Sequence, residues 1–263
     1  MKYLLSSAAK IRLIILLHHF LVIFGLFILE PPNLKWLIFS FLSFIIIGKI
    51  GLDIGYHRYF CHRSFKTTRP IEIILLLLGS SVGFGSTLGW VGLHRRHHAY
   101  TDTQNDPHSP QYIKPSLVWL TFWKKTHLSV YEIKDLLKDP IHRALHKHYF
   151  TILTSVYIIL LTIDPRILIW GVSLPATAIF HSAGFTDVLG HLYGYRNFNT
   201  PDKSQNSLTL QILSLGTQGL HNNHHAYPNK YNYSYKWWEI DILGLFIKYF
   251  LIKKVAQNHN SNL

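Results

Sequence analysis

Histidine is the residue type that stands out, with 18 histidines in a chain of 263 residues. Eight of them fall in three short clusters, HRYFCH at residues 57–62, HRRHH at 94–98 and HNNHH at 221–225. In the second and third clusters the histidines occupy positions i, i+3 and i+4, which share one face of an α-helix, so three imidazoles can point to one place. The first pair is spaced i, i+5, about 140° apart on an ideal α-helix, and needs a bend or a helix end to converge.

Clustered imidazoles in this number indicate a metal site. A polar group that is buried without a partner is costly, and shared metal ions would satisfy all of these histidines at once. One ion accepts about four to six ligands, so a shared site requires at least two ions. Nitrogen ligands without thiolates suit iron, zinc or copper, and the spacing does not choose among these metals. The single cysteine, Cys61, excludes an internal disulfide and any multi-cysteine zinc or iron–sulfur site.

The segments that must position these clusters are long and apolar. Hydrophobic residues make up 48% of the chain and charged residues 15%, against about 25% charged residues in ordinary soluble domains. Apolar segments long enough to cross a bilayer cover about residues 11–29, 35–56, 149–163 and 167–188. We therefore predict an all-α integral membrane protein, a single domain over residues 1–263, with four transmembrane helices in two hairpins.

Charge predicts the orientation in the membrane. The net charge is +13, and lysine and arginine gather in segments 58–69, 95–96, 124–147 and 230–254, whereas the two hairpin turns carry few. By the positive-inside rule, residues 57–148 and 191–263, both termini and the histidine clusters face the cytoplasm. The same charge would attract anionic membrane lipid. Nucleic-acid binding is not expected, because no recognition module stands apart from the membrane segments.

The glycine-rich apolar segment 71–92 joins the first two clusters. If this segment crossed the bilayer, the two clusters would lie on opposite faces, roughly 30 Å apart, and could not share a metal site. We therefore predict that residues 71–92 form one re-entrant or interfacial helix. A cytosolic helical cap would then carry the di-metal site.

The three clusters resemble the histidine boxes HRxxxH, HRxHH and HNxHH of the membrane fatty-acyl desaturases of the acyl-CoA Δ9 type. The stretches that carry the resemblance are GYHRYFCHRSFK, WVGLHRRHHAYTDTQNDPHSP and GLHNNHHAYP, in the family's order and at its intervals. The similarity covers about residues 51–240. It includes a stretch from Phe180 to Gly194 that is similar to the family's FHxTxxxNSxxHxxG pattern.

The resemblance implies two iron ions, cycling between Fe2+ and Fe3+, that use oxygen and two electrons to turn a saturated acyl chain into a cis-monounsaturated product, with Δ9 as the expected position. It also implies a fatty-acyl substrate, carried on coenzyme A, on acyl carrier protein or in a lipid, and a separate electron donor such as ferredoxin or cytochrome b5. Zinc is expected to replace iron in recombinant protein. The implied metal ligands are nine histidines: His57, His62, His94, His97, His98, His191, His221, His224 and His225.

Three positions depart from the family's pattern. Asp187 stands four residues before His191, where the family has asparagine, and a carboxylate there could bind a metal directly. Gln218 replaces a glutamate before the third box, and Asp53, one turn before His57, replaces a small or neutral residue. Asp53 fits a buried polar residue at a helix end and an acceptor for an imidazole N–H equally well. These changes leave regiochemistry and activity open, but not metal binding.

Three further residues are expected beside the metal ligands. His108 follows Asp106 and Pro107 in the second motif, and Asn222 lies inside the third box. His181 lies within an apolar helix, where an ionisable group is costly and indicates a functional role.

Other functions compete with desaturation. A related di-iron membrane hydroxylase or oxygenase would share the helices and the irons but would insert oxygen, and Arg58 after the first histidine favours the desaturase. A metal transporter would place its ligands at the membrane midplane, whereas these clusters lie at one surface. An inactive metal-binding relative stays open because of Asp187 and Gln218. Chain length, double-bond position and acyl carrier are likewise left open by the sequence.

Overall fold

The computed structural model describes residues 8–120, 128–214 and 218–252. Their regular structure is helical, apart from two isolated bridges that join Asn206 to Tyr195 and to Leu220. The helices of the described residues are α1 (Ala8–Ile28), α2 (Leu34–Cys61), α3 (Arg69–Ser80), α4 (Thr87–Tyr100), α5 (Pro115–Trp119), α6 (Pro140–Ile163), α7 (Ile167–Leu192), α8 (Leu208–Leu213), α9 (His221–Ala226) and α10 (Ile242–Leu251). Two 3₁₀ turns, Val130–Ile133 and Leu136–Lys138, lie between α5 and α6.

Four helices, α1, α2, α6 and α7, are long and apolar enough to cross a membrane, which confirms the predicted number of spans. They form two hairpins that turn at residues 29–33 and 164–166. Helix α6 begins at Pro140 rather than at residue 149, because Asp139 caps it by accepting a hydrogen bond from the N–H of Ile141 at 3.0 Å, and proline suits a first helical turn. The predicted cytoplasmic location of the termini concerns residues outside the described ranges.

Most of α2, from Phe44 to Cys61, is wound as a π-helix, in which a backbone N–H bonds to the carbonyl five residues earlier. The N–H of His62 continues this pattern and donates to the carbonyl of His57 at 3.1 Å. Residues five apart therefore lie nearly above one another, and the ring centroids of His57 and His62 are 4.8 Å apart. The i, i+5 pair converges through this winding, without the bend that an α-helix would need.

Segment 71–92 is not one helix, and that prediction is wrong. Helix α3 ends at Ser80 and α4 begins at Thr87. Between them Gly83 and Gly85 adopt φ values of +89° and +97°, a left-handed conformation that glycine tolerates and that interrupts the helix. The two ends of the segment nevertheless come together, since the ring centroids of His57 and His94 are 4.7 Å apart.

Two hydrogen bonds hold the start of α4 against α6. Thr87 Oγ1 lies 2.7 Å from His142 Nδ1, and Ser86 Oγ lies 2.6 Å from His146 Nδ1. Ser86 also caps α4 by accepting a hydrogen bond from the N–H of Gly89. The second histidine box is therefore anchored at the N-terminus of its helix by a neighbouring span.

A buried ion pair fastens the end of α2 to the C-terminal part of the chain. Both side chains are almost fully buried, and the Arg58 guanidinium donates to the two carboxylate oxygens of Asp241 at 2.8 and 2.9 Å. The guanidinium also lies over the Tyr233 ring, 4.4 Å from its centroid. A bidentate pair of this kind fixes both partners in direction as well as in distance.

Candidate metal centre

All nine histidines of the predicted ligand set come together in two adjacent groups. Within each group the nearest ring nitrogens lie within 4.8 Å of one another. The five-histidine group consists of His57, His62, His94, His98 and His224. The four-histidine group consists of His97, His191, His221 and His225. The groups adjoin each other, since the rings of His98 and His225 stack with centroids 4.5 Å apart.

Each helical triple is divided between the two groups. In the second box, His94 and His98 at i and i+4 join the five-histidine group, and His97 joins the other. In the third box the i, i+4 pair joins the four-histidine group, and His224 joins the other. The expectation that each triple points to one place is therefore wrong. Neighbouring positions on a helix differ by about 100° in direction, which turns the i+3 and i+4 rings toward different groups.

The nitrogen atoms of both groups fit metal ions. His224 Nε2 lies 2.9 Å from His98 Nε2 and 3.1 Å from His57 Nε2, and His221 Nε2 lies 2.9 Å from His191 Nε2. Two ligands at right angles around an ion, with bonds of about 2.1 Å, would be about 3.0 Å apart. Within the described residues the Nε2 atoms of His62 and His225 are buried without a hydrogen-bond partner. Since such an atom is costly, a metal ion in each group accounts for the arrangement.

Burial keeps the imidazoles of His94, His97, His98 and His221 neutral. Desolvation, reinforced by neighbouring imidazoles, holds the pKa values of His94, His97 and His221 well below the ordinary 6.5. Burial also lowers the pKa of His98 to about 3. A neutral imidazole can bind a metal without first releasing a proton, so the site is ready to ligate at neutral pH.

Three aspartates lie behind the four-histidine group, and their role was not predicted from the sequence. Their carboxylates contact the Nδ1 atoms of three of the four imidazoles. The pairs are Asp102 with His191 at 3.0 Å, Asp106 with His97 at 3.0 Å and Asp202 with His225 at 3.2 Å. A carboxylate on Nδ1 orients the ring and leaves Nε2 free to bind a metal.

Asp102 shows how firmly such a carboxylate is held. Its backbone adopts φ +56°, a left-handed conformation that is uncommon outside glycine. Burial would raise the pKa of Asp102, but hydrogen bonds from His191, Ser109 and the N–H of Lys203 lower it overall. The carboxylate is therefore ionised. The only sequence signal for it was its nearness to the second box, because contacts between loops follow no spacing rule.

A cavity reaches both histidine groups. It is lined by Leu52, Asp53, His57, Arg58, Phe84, Trp90, Leu93, His94, His108, Ala183, Thr186, Asp187, Gln218, Leu220, His221, His224 and Tyr233. The His108 ring stacks on His97 with centroids 4.2 Å apart, and Asp187 Oδ2 lies 3.6 Å from His108 Nδ1. Both predicted residues thus lie beside the four-histidine group, within the same cavity.

Asp53 and Gln218 form a polar network at the cavity wall. Asp53 accepts hydrogen bonds from Lys49 at 2.9 Å and from Gln218 Nε2 at 3.1 Å. Gln218 Oε1 accepts from Thr186 at 2.6 Å and from Ser182 at 3.2 Å. Asp53 is therefore hydrogen-bonded to a lysine and an amide. The sequence had left two roles open for it, a buried polar residue or an acceptor for an imidazole N–H.

The side chains of His181 and Asn222, which were expected beside the metal ligands, have other partners. His181 contacts His19, with their Nε2 atoms 3.1 Å apart, rather than the metal groups. It lies ten residues before His191 on α7, about 15 Å along the helix axis, so the expectation that it lies near the metals is wrong. The Asn222 side chain accepts from the N–H groups of Asn197 and Phe198, both at 2.9 Å, and so holds the loop before the third box.

Comparison with known proteins decides the family. Residues 33–243 match the family model described as fatty acid desaturase. The chain belongs to this fatty acid desaturase family. The desaturase is 31% identical over 240 residues to the sn-1 stearoyl-lipid 9-desaturase of Anabaena variabilis, covering 89% of this chain and 88% of that protein.

Two further relatives extend the comparison. The desaturase is 33% identical over 237 residues to the sn-2 palmitoyl-lipid 9-desaturase of a Nostoc species, covering 84% of this chain and 82% of the relative. It is 32% identical over 244 residues to an acyl-CoA C20 Delta5-desaturase of Anemone leveillei, covering 88% and 77%. The desaturase is thus a multi-pass membrane oxidoreductase of fatty-acyl chains, as the histidine boxes predicted.

Proposed function

We propose that this desaturase forms a cis double bond at Δ9 of a saturated fatty-acyl chain, at a di-iron centre held by the nine histidines. The two methylenes lose two hydrogen atoms, while oxygen with two electrons and two protons is reduced to two waters. The observation that carries the proposal is the pair of imidazole groups beside one cavity. The names of the relatives from Anabaena and Nostoc support the Δ9 position.

The chain's own residues hold the metals and exclude water. Iron in the two groups would supply the oxidising power that removal of hydrogen from unactivated methylenes requires. The apolar cavity residues Leu52, Phe84 and Ala183 would contact the acyl chain and keep bulk water from the reacting carbons. His108 and Asp187 would set the polar environment on the side of the four-histidine group.

Orientation and partners complete the proposal. The basic polar sections and the active site face the cytoplasm, as the distribution of lysine and arginine favours. A separate electron donor, such as ferredoxin or cytochrome b5, supplies the electrons. The acyl chain arrives on coenzyme A, on acyl carrier protein or in a membrane lipid.

Expression in a host that lacks its own Δ9 desaturase tests the function. Fatty-acid profiling should find new cis-Δ9 monounsaturated chains with the wild-type protein and none with the ligand variant His221→Ala as the matched control. Incubation of membranes with labelled acyl-CoA or labelled lipid then identifies the carrier. A hydroxylated product would instead favour the related hydroxylase. No product from folded, iron-loaded protein that is supplied with ferredoxin or cytochrome b5 would identify an inactive relative.

A further inference from the structure

We propose that the two metal groups bind unequally, and that the four-histidine group holds a divalent metal more tightly than the five-histidine group because three aspartates stand behind its imidazoles. The inference rests on the proposed function, since it takes both groups to be metal sites. It assigns different metal affinities to the two groups, which the nine histidines alone do not indicate.

The three aspartates are buried. Asp106 is fully buried, and the side chains of Asp102 and Asp202 are 4% and 10% exposed. At these depths a negative charge is weakly screened, so it acts on the metal group beyond the imidazole that it contacts. Each carboxylate accepts the Nδ1 proton of its histidine, makes that ring a better donor and fixes the tautomer that leaves Nε2 for the ion.

The carboxylates are fixed by the loops that carry them. Asp102 accepts from Ser109 at 2.7 Å and from the N–H of Lys203 at 2.8 Å. Asp106 accepts from the N–H groups of Asp102 and His108 at 2.9 and 3.0 Å. These contacts hold the charges in place before any metal binds, so a metal ion does not have to order them.

The five-histidine group has different neighbours. The three ion-pair contacts between a carboxylate and one of the nine imidazoles, Asp106–His97, Asp102–His191 and Asp202–His225, all fall on the four-histidine group. Charged groups on the side of the five-histidine group include Arg58, Arg95 and Asp53, and each has an oppositely charged partner: Asp241, Asp135 and Lys49. Three negative charges on one side and neutral ion pairs on the other would therefore make a divalent ion more stable in the four-histidine group.

The test is competitive removal of metal from the full-length protein. Purified protein loaded with two Zn2+ ions would be dialysed against a graded series of EDTA concentrations, and retained zinc would be measured by mass spectrometry. We expect two steps, with one ion lost at much lower EDTA than the other. His94→Ala should remove the weak step and His221→Ala the tight one, which assigns the steps to the groups.

Replacement of the aspartates by the isosteric amide then tests the cause. Asp102→Asn and Asp202→Asn should each weaken the tight step on the order of 10- to 100-fold and leave the weak step in place. Asp164→Asn, in the hairpin turn between α6 and α7, is the matched control and should change neither step. Circular dichroism and gel filtration of each variant show that the fold is kept.

The outcomes separate this inference from the proposed function. Two ions with indistinguishable affinities, or amide variants that weaken both steps equally or neither, would overturn the inequality while leaving a di-metal desaturase. A folded wild-type protein that retains no more than one ion would overturn the di-metal site itself, and this inference with it.

Discussion

Asp187 is one of the three positions at which this chain departs from the family pattern that its histidine boxes resemble. It lies in the cavity beside His108, one helical turn before the ligand candidate His191. A carboxyl group there can ionise beside a bound metal, whereas an amide cannot, and a negative charge so close favours the oxidised state of the metal.

Substitution of Asp187 separates charge from shape. Asp187→Asn should keep the fold and the metal content but change the turnover of acyl substrate, because the amide has the same shape as the carboxyl group but cannot ionise. Asp187→Ala should lower turnover on the order of 10-fold or more, because the polar group that contacts His108 is lost as well. Product formation is measured by fatty-acid profiling alongside metal analysis. Unchanged turnover in both variants would make Asp187 a structural residue.

The buried histidines make the metal-free protein sensitive to acid. Burial lowers the pKa of His98 to about 3 and that of His108 to about 4, whereas the unfolded chain has histidine pKa values of about 6.5. Below about pH 6.5 the unfolded chain therefore binds protons that the folded chain does not bind. The free energy of unfolding falls as the pH falls toward 4.

At pH 5.5 each such histidine would cost about 1.4 kcal/mol of folding free energy relative to neutral pH. The melting temperature of the metal-free protein should thus decrease steadily between pH 7.5 and 5.5, and His108→Gln should show a shallower decrease. A melting temperature that is flat over this range would mean that the imidazoles are solvated in the folded protein.

The sequence predicted the metal-ligand candidates but not the three aspartates behind the four-histidine group. The second and third boxes could be found because their i, i+3, i+4 spacing follows helical periodicity. Asp102 and Asp202 could not be found in this way, because they reach His191 and His225 from loops whose paths depend on tertiary packing. His181 was misplaced for the converse reason, since its sequence pattern gives no distance along α7.

Two features of the fold depend on backbone conformation and could not be predicted from sequence periodicity alone. The π-helical part of α2 aligns His57 with His62, and the left-handed glycines between α3 and α4 divide a segment that reads as one apolar run. The four long spans were predicted correctly, because apolar length is a direct property of the sequence. The hydrogen-bonding pattern within a helix and the sign of φ at a glycine depend on tertiary contacts, which the sequence does not show directly.

Segment 71–92, which is interrupted between α3 and α4, leads to a prediction about membrane topology. With Cys61 replaced by alanine, single cysteines at the exposed positions Thr68 and Tyr100 should react with a membrane-impermeant maleimide from the same side of the membrane. A cysteine at Glu30, in the first hairpin turn, is the control and should react from the opposite side. Labelling of Thr68→Cys and Tyr100→Cys from opposite sides would mean that the segment crosses the bilayer and that the groups cannot form.

At the scale of the whole molecule, the metal centre is assembled from four separate parts of the chain. The ligand candidates lie at the end of α2, along α4, at the end of α7 and in α9. The Arg58–Asp241 pair ties the first of these parts to residues beyond the last. Stability and metal binding should therefore be lost together when this pair is broken.

A double-mutant cycle measures that link. Asp241→Asn alone leaves a buried arginine without its counter-charge and should cost about 3–5 kcal/mol, seen as a lower melting temperature and lower metal content. Arg58→Met combined with Asp241→Asn should cost less than the sum of the two single changes, because no unpaired charge remains. Asp164→Asn, which breaks an exposed pair with Arg166, should have little effect. Strict additivity would show that the buried pair is not coupled.

The same pair has a consequence for the order of events during synthesis. Arg58 and Asp241 are 183 positions apart in the sequence. At a synthesis rate of about 5–20 residues per second, Asp241 is therefore added roughly 10–40 s after Arg58. The third histidine box also emerges well after the first two. A nascent chain with the first two boxes already in place would expose an uncompensated arginine and an incomplete set of imidazoles. Metal ions delivered before the third box has emerged would meet only partial sites, so we expect productive loading to follow the emergence of that box.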